Sequence, residues 1–302
     1  MRAVVALIMR GRSHAMTASA LTAALSLQFP PLSYLSGAVI GLATMKHGPR
    51  EGLLVILGSV LLSGVFAVVI VGTPKPTLAF LGMTWLPAWL LAMVVRRTRS
   101  QGLAIEAAAG LGIAAVLVMH FVIGDPAAWW RELLAEFFAL AMQSADAQVV
   151  AQFELVLNAW APRMTRIFGA VSVIGLVGTL LLARCWQAML DNPGGFGREF
   201  RQLRLGLPML GVSAALGIAA WLIGAGSPLI SDLMGPLSAM LAFQGLAVVH
   251  TFARARKISV AWLVAMYGLL IVPPHLALPV LAVTGLADGL MNLRARAAGT
   301  ES

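Results

Sequence analysis

Residues 51–72 read EGLLVILGSVLLSGVFAVVIVG, one acidic residue followed by an almost unbroken apolar run. A helix rises about 1.5 Å per residue and the hydrocarbon core of a bilayer is about 30 Å thick, so about 20 mostly apolar residues cross it. This run is long enough, and it lacks the alternation of a barrel strand. Backbone groups in lipid must be bonded within their own segment, which makes a helix the required reading. Similar runs give ten candidate segments, at about 13–29, 32–45, 51–72, 77–95, 102–123, 167–190, 205–224, 228–252, 258–272 and 275–292.

Composition points the same way. Of 302 residues, 60% are apolar and 11% charged, with a mean hydropathy of +0.89. Soluble domains carry roughly 45–50% apolar and about 25% charged residues. A chain this apolar would leave large apolar surfaces uncovered in water, which excludes a cytosolic enzyme or nucleic-acid-binding domain. The net charge of +9 would suggest nucleic acid only if the basic residues gathered on one exposed face. They fall instead in short clusters between apolar runs, so no nucleic-acid partner is expected. The single cysteine, Cys185, makes no intrachain disulfide, and no Cys or Cys/His spacing marks a metal site; neither metal nor cofactor is expected.

The clusters orient the chain. Arg2, Arg10, Arg12, Lys46, Arg50, Arg96, Arg97, Arg99, Arg184, Arg198, Arg201, Arg204, Arg254, Arg256, Lys257, Arg294 and Arg296, 17 of the 21 basic residues, fall on one side of the predicted topology. Lys75, Arg131, Arg163 and Arg166 fall on the other. By the positive-inside rule both termini are cytoplasmic. A secretory signal is disfavoured, because Arg10, Arg12 and His14 interrupt the first apolar stretch.

The expected fold is therefore all-α, a polytopic transmembrane helical bundle forming a single integral membrane domain over 1–302. Pro30-Pro31 and Pro273-Pro274 break the first and last pairs of segments, either of which could be a re-entrant hairpin, so the count is eight to ten. An N-terminal half, 13–123, and a C-terminal half, 167–292, flank an external stretch, 125–165. That stretch reads as two amphipathic helices, with Trp130, Leu133, Leu134, Phe137, Phe138 and Ala141 on one face and Val149, Phe153, Val156, Leu157 and Trp160 on the next. Such a hairpin either lies on the outer leaflet or covers an outward-facing cavity. The halves show no residue-level similarity, although an inverted repeat would suit an odd number of segments in each.

Charges within spans are costly and point to function or to a buried pair. Glu106, Asp232 and Asp288 are the acidic candidates. Asp288 has Arg294 or Arg296 as partner and Glu106 the Arg96 to Arg99 cluster, while Asp232 lies near the outer start of its segment. Gln244 and His250 are further intramembrane polar candidates. His120, His250 and His275 read as single histidines, which titrate near neutrality but more often anchor at an interface. The small-residue stripe Ala15-x-x-x-Ser19-x-x-x-Ala23 allows close helix packing, within the chain or with a partner.

The least generic stretch runs from Arg184 to Leu205, RCWQAMLDNPGGFGREFRQLRL. Asn192-Pro193-Gly194-Gly195 ends a helix and turns, and Arg198, Arg201 and Arg204 are expected to line one face of the next helix. Backbone N–H groups at Gly194 and Gly195 suit an anion, and Arg184 and the other arginines suit lipid phosphates or a cytoplasmic protein partner. No Lys-Ser/Thr follows the glycines, so this is not a P-loop. No catalytic constellation is recognisable, and the chain is not expected to be an enzyme.

This stretch, with Phe243-Gln244-Gly245-Leu246-Ala247-Val248-Val249-His250 ahead of a basic loop, resembles the YybS-like family of predicted bacterial membrane proteins. That family is distantly similar to the substrate-binding S components of energy-coupling-factor uptake transporters. The resemblance implies a bacterial inner (cytoplasmic) membrane, a small-molecule solute in an outward-facing pocket, a transmembrane coupling subunit and an ATPase as partners, and a docking role for the Ala15, Ser19 and Ala23 face. The additional segments and the 125–165 insertion depart from that pattern.

Two functions are weighed. A solute-binding transport subunit predicts a partly polar outer pocket lined by residues such as Tyr34, Gln244, Trp262 or Tyr267. A non-transport scaffold or regulatory protein predicts a working surface at the cytoplasmic 184–204 stretch. A lipid-modifying enzyme is a distant third. The bilayer itself is a partner in each case.

Overall fold

The structure is a computed structural model and describes residues 2–223 and 226–295. Arg296, named above as a partner for Asp288, and Gly224, the last residue of the seventh segment, lie outside the described residues. The main helices are α1 (Arg2–Ile8), α2 (Arg12–Leu25), α3 (Leu32–His47), α4 (Pro49–Val71), α5 (Lys75–Phe80), α6 (Leu86–Thr98), α7 (Gln101–Val118), α8 (Pro126–Gln143), α9 (Ala147–Asp191), α10 (Gly195–Arg201), α11 (Leu207–Ile223), α12 (Pro228–Ala255), α13 (Val260–Ile271) and α14 (Pro274–Met291). No strand occurs among the described residues. π-Helical turns at Leu81–Trp85 and Met119–Ile123 join α5 to α6 and end α7.

Among the described residues six helices are long and apolar enough to cross a membrane: α4, the continuous Lys75–Thr98 and Gln101–Ile123 helices, α9, α12 and α14. The apolar helices α11 and α13 are shorter, at 17 and 12 residues, and α2 and α3 have 14 and 16. Four of the expected segments are thus short helices: the turn at Pro30-Pro31 parts α2 from α3 and that at Pro273 parts α13 from α14, while α11 begins only after a non-helical stretch that ends at Gly206. Boundaries follow local chemistry. Pro49 starts α4 after Gly48, and Gly72 ends it in the left-handed region at φ 75°. Ser100, Asp125 and Ser227 accept backbone N–H bonds at the starts of α7, α8 and α12.

The central element is α9, whose 45 residues span about 68 Å, roughly twice the hydrocarbon thickness. It packs against α3, α7, α12 and, over its first part, α8. The second amphipathic helix of the 125–165 stretch and the sixth apolar segment are thus one helix, which continues through Pro162. Along the α8–α9 hairpin, Trp130 Nε1 donates to Thr165 Oγ1 at 3.0 Å and the Phe138 and Phe153 rings lie 5.5 Å apart.

Lipid tails are as apolar as leucine, so membrane helices associate through close packing and hydrogen bonds. Here Gly112 and Gly169 enclose Pro236, and Gly235 lies on the Arg166 backbone. Gly245 and Gly285 bring α12 and α14 together so closely that a Cβ on either would overlap a carbonyl of the other helix. In the other half, α3 is buried from Ser36 to Met45. Trp85 Nε1 donates to Ser36 Oγ at 2.9 Å, and Ser36 Oγ to the Ser19 carbonyl at 2.8 Å. Ala15, Ser19 and Ala23 are 3%, 0% and 1% exposed. This face is buried within the bundle, where α2 packs on α3 and α4.

Gly285→Ala is expected to destabilise the bundle by about 1–3 kcal/mol through overpacking. Gly110→Ala, where a methyl group meets open space, is expected to leave stability unchanged or raised. Thermal unfolding in detergent, followed by tryptophan fluorescence, checks the contrast; equal midpoints would contradict the packing described.

Candidate functional site

The polar groups converge on the arginine-rich end. After α9 ends at Asp191, Gly194 turns the chain at φ 80° and α10 runs for 7 residues to Arg201. The chain then leaves the helix, and Gln202 to Gly206 pass between α7, α12 and α14. Gly102 permits this, since a Cβ there would overlap the Arg204 carbonyl. Leu203 and Leu205 are buried. A non-helical backbone in such a place must find partners for its own polar groups.

Two of the intramembrane candidates, Glu106 and Gln244, provide partners directly, and a third, Asp288, holds the arginine that provides another. The Gly206 N–H donates to Glu106 Oε1 at 2.5 Å, and the Leu205 N–H to Gln244 Oε1 at 2.9 Å. Gln244 Nε2 donates in turn to Asp288 Oδ2 at 3.0 Å. Asp288, 3% exposed, receives Arg294 Nη2 at 2.7 Å and Nε at 3.0 Å. The same guanidinium donates to the carbonyls of Arg201 at 2.5 Å and Leu203 at 2.8 Å. Asp288 therefore pairs with Arg294. Glu106 corrects the expectation drawn for it: it bonds a backbone N–H, not the Arg96 to Arg99 cluster, because the entering loop presents a donor with no helical partner.

The expected arginine face is also corrected. Arg198 and Arg201 belong to α10, but Arg204 lies beyond it, donating to Asn292 Oδ1 at 2.6 Å. The Asn192 side chain lies against Gly195, whose N–H donates to the Asn192 carbonyl. Burial, with Arg254 and Arg198 close by, pushes the Arg201 guanidinium below its usual pKa.

Beside this tie lies a cavity of about 660 Å³ bordered by Arg96, Arg99, Gln101, Arg184, Gln187 and Glu199, with Met45 and Val95 as apolar walls. Arg184 grips Glu199 with two bonds, Nη2 to Oε1 at 2.5 Å and Nε to Oε2 at 2.9 Å. Gln101 Nε2 donates to Glu199 Oε2 at 3.2 Å, while Gln101 Oε1 is buried without a partner. Arg96 Nη1 donates to the Met45 carbonyl at 2.6 Å. Arg99 ends α6 at φ 55°, a left-handed position that favours glycine. Of these residues only Arg184 stood out in the sequence as a candidate site; Arg96 and Arg99 read there only as one basic cluster, and nothing marked Gln101, Gln187 or Glu199.

The opposite end holds a second buried pair. His120 Nε2 lies 2.9 Å from Asp232 Oδ2, with side chains 13% and 4% exposed. His120 sits in the π-helical turn, a feature common at functional sites. It is not a lone histidine, and His250 is not either: its Nε2 is 2.7 Å from Tyr267 Oη. His275 is exposed. The residues expected to line one outer pocket are dispersed. Tyr34 lies against Gly175, Gln244 is in the Asp288 network, Tyr267 meets His250, and Trp262 borders an apolar groove between α12, α13 and α14. Among the described residues no cluster of His, Cys, Asp and Glu is suited to a metal.

Arg294→Met strands Asp288 as an unpaired buried carboxylate and is expected to cost about 3–5 kcal/mol. Adding Asp288→Leu is expected to recover part of the loss, the rest reflecting the carbonyls and Gln244 left without partners. Unfolding midpoints of the single and double variants test this; a double variant no more stable than the single would contradict it. No protein-family model, curated protein or solved structure matches this chain.

Proposed function

We propose that the protein is a multi-pass inner-membrane subunit with both termini cytoplasmic, and that it binds an anionic ligand at its cytoplasmic, arginine-rich end in a regulatory or docking role. The carrying observation is the cavity at that end, where three guanidinium groups face one carboxylate and a buried amide oxygen lacks a donor. The one-sided distribution of basic residues supports the orientation. The tie formed by Glu106, Gln244, Asp288 and Arg294 holds the backbone after α10 in place, as a binding surface requires.

A solute-binding transport subunit, as the S-component resemblance implies, is the second reading. The His120–Asp232 pair favours it, since buried titratable pairs in spans serve proton-coupled transport.

Affinity purification of the wild type and Arg99→Gln from native membranes, with mass spectrometry of retained small molecules and proteins, separates these readings. The first expects an anionic compound retained by the wild type and lost from the variant. Recovery of an ATPase and a coupling subunit, with the same bound compounds in both proteins, would overturn it in favour of transport.

A further inference from the structure

We propose that the cavity between α6, α7, α9 and α10 is a site for a phosphomonoester carried on a small polar body; this rests on the anion-binding reading above and names its chemistry. The charge balance comes first. Arg96, Arg99 and Arg184 against Glu199 leave a formal excess of two positive charges around the cavity. A phosphomonoester brings about −1.5 to −2 at neutral pH, whereas a single carboxylate or a phosphodiester brings about −1.

Geometry supports the same chemistry. Arg184 is already committed to Glu199, but the Arg99 side chain makes no hydrogen bond or ion pair among the described residues, and Arg96 uses Nη1 on backbone carbonyls and leaves Nη2 free. Guanidinium groups match phosphate oxygens in pairs, and such charge-assisted bonds are among the strongest available to a side chain. The left-handed backbone at Arg99 costs energy that glycine would avoid, so arginine there calls for a use of its side chain.

Gln101 is the independent observation. It is 7% exposed, lines the cavity, and has an acceptor oxygen without a donor. An acceptor left buried in this way costs about 1–3 kcal/mol, which a ligand hydroxyl or amine would recover by drawing the Gln101 amide round to the cavity it lines. The volume of about 660 Å³ exceeds what a bare phosphate needs and falls in the range of organic-ligand pockets, about 300–1,000 Å³. The ligand thus combines a phosphomonoester with at least one donor on its body. A soluble phosphorylated metabolite and the head group of a lysophosphatidic-acid-type lipid, which keeps one glycerol hydroxyl, both present a phosphomonoester beside such a donor.

The test uses the full-length protein, delipidated in detergent, with glycerol 3-phosphate, octanoyl lysophosphatidic acid, dimethyl phosphate, succinate and glycerol as probes, read by thermal shift and calorimetry. Saturable binding of either phosphomonoester is expected, with dimethyl phosphate and glycerol far weaker. Arg99→Gln, at an exposed position, is expected to lose affinity by about tenfold or more, the worth of one charged hydrogen bond, with its ligand-free midpoint unchanged. Gln101→Leu tests the donor requirement, since it is expected to weaken glycerol 3-phosphate, which carries hydroxyls. Binding of glycerol 3-phosphate assigns a soluble source, and binding of the lipid alone assigns the head group. Succinate binding as tightly as the phosphomonoesters, still lost in Arg99→Gln, would overturn the phosphate assignment and leave the anion site standing. No probe binding in an Arg99-dependent manner would overturn both.

Discussion

Five residues, Gln202 to Gly206, run without helix through the arginine-rich end of a helical protein, and much else at that end depends on how their backbone is satisfied. Helices bond their own N–H and C=O groups, whereas this stretch must borrow partners from its neighbours. Glu106 and Gln244 accept the Gly206 and Leu205 N–H groups, and Arg294 donates to the Leu203 carbonyl and to that of Arg201. Each donor helix is thereby tied to the others. The Asp288 carboxylate balances Arg294 and orients Gln244, so one buried ion pair links α12 and α14 to the chain that joins α10 to α11.

Close packing sets the distances at which this network works. Gln244 lies next to Gly245, and Asp288 lies one turn after Gly285, so the contact between α12 and α14 backbones is what lets the amide reach the carboxylate. Gly102 does the same for α7, admitting the Arg204 carbonyl one turn before Glu106. The adjoining cavity uses the opposite device. Gln101 sits beside Gly102 at the start of α7, and its oxygen is buried without a partner. Structural ties and unsatisfied site thus occupy consecutive positions of the same helix.

Much of this was legible from residue patterns. Long apolar runs mark helices such as α4 and α12, the spacing of Trp130, Leu133, Phe137 and Ala141 marks α8, and the pairing of Asp288 with Arg294 is short-range in sequence. What escaped is long-range or involves the backbone. His120 and Asp232 are separated by 112 residues, and nothing in either local sequence connects them. Glu106 was matched to nearby arginines because a backbone N–H leaves no trace in composition. The expected alignment of Arg198, Arg201 and Arg204 assumed that a helix continues where the chain instead turns inward. The 125–165 stretch looked separable from the sixth segment because its polarity changes, yet the helix runs on through Pro162.

Gln202 to Gly206 are locked by side chains of α7, α12 and the segment that follows α14. Hydrogen–deuterium exchange of the detergent-solubilised protein, resolved to peptides covering 203–206, addresses this directly. The account predicts that the Leu205 and Gly206 amides exchange as slowly as those in the middle of α12. Exchange of these amides at the rate of an open loop would contradict it.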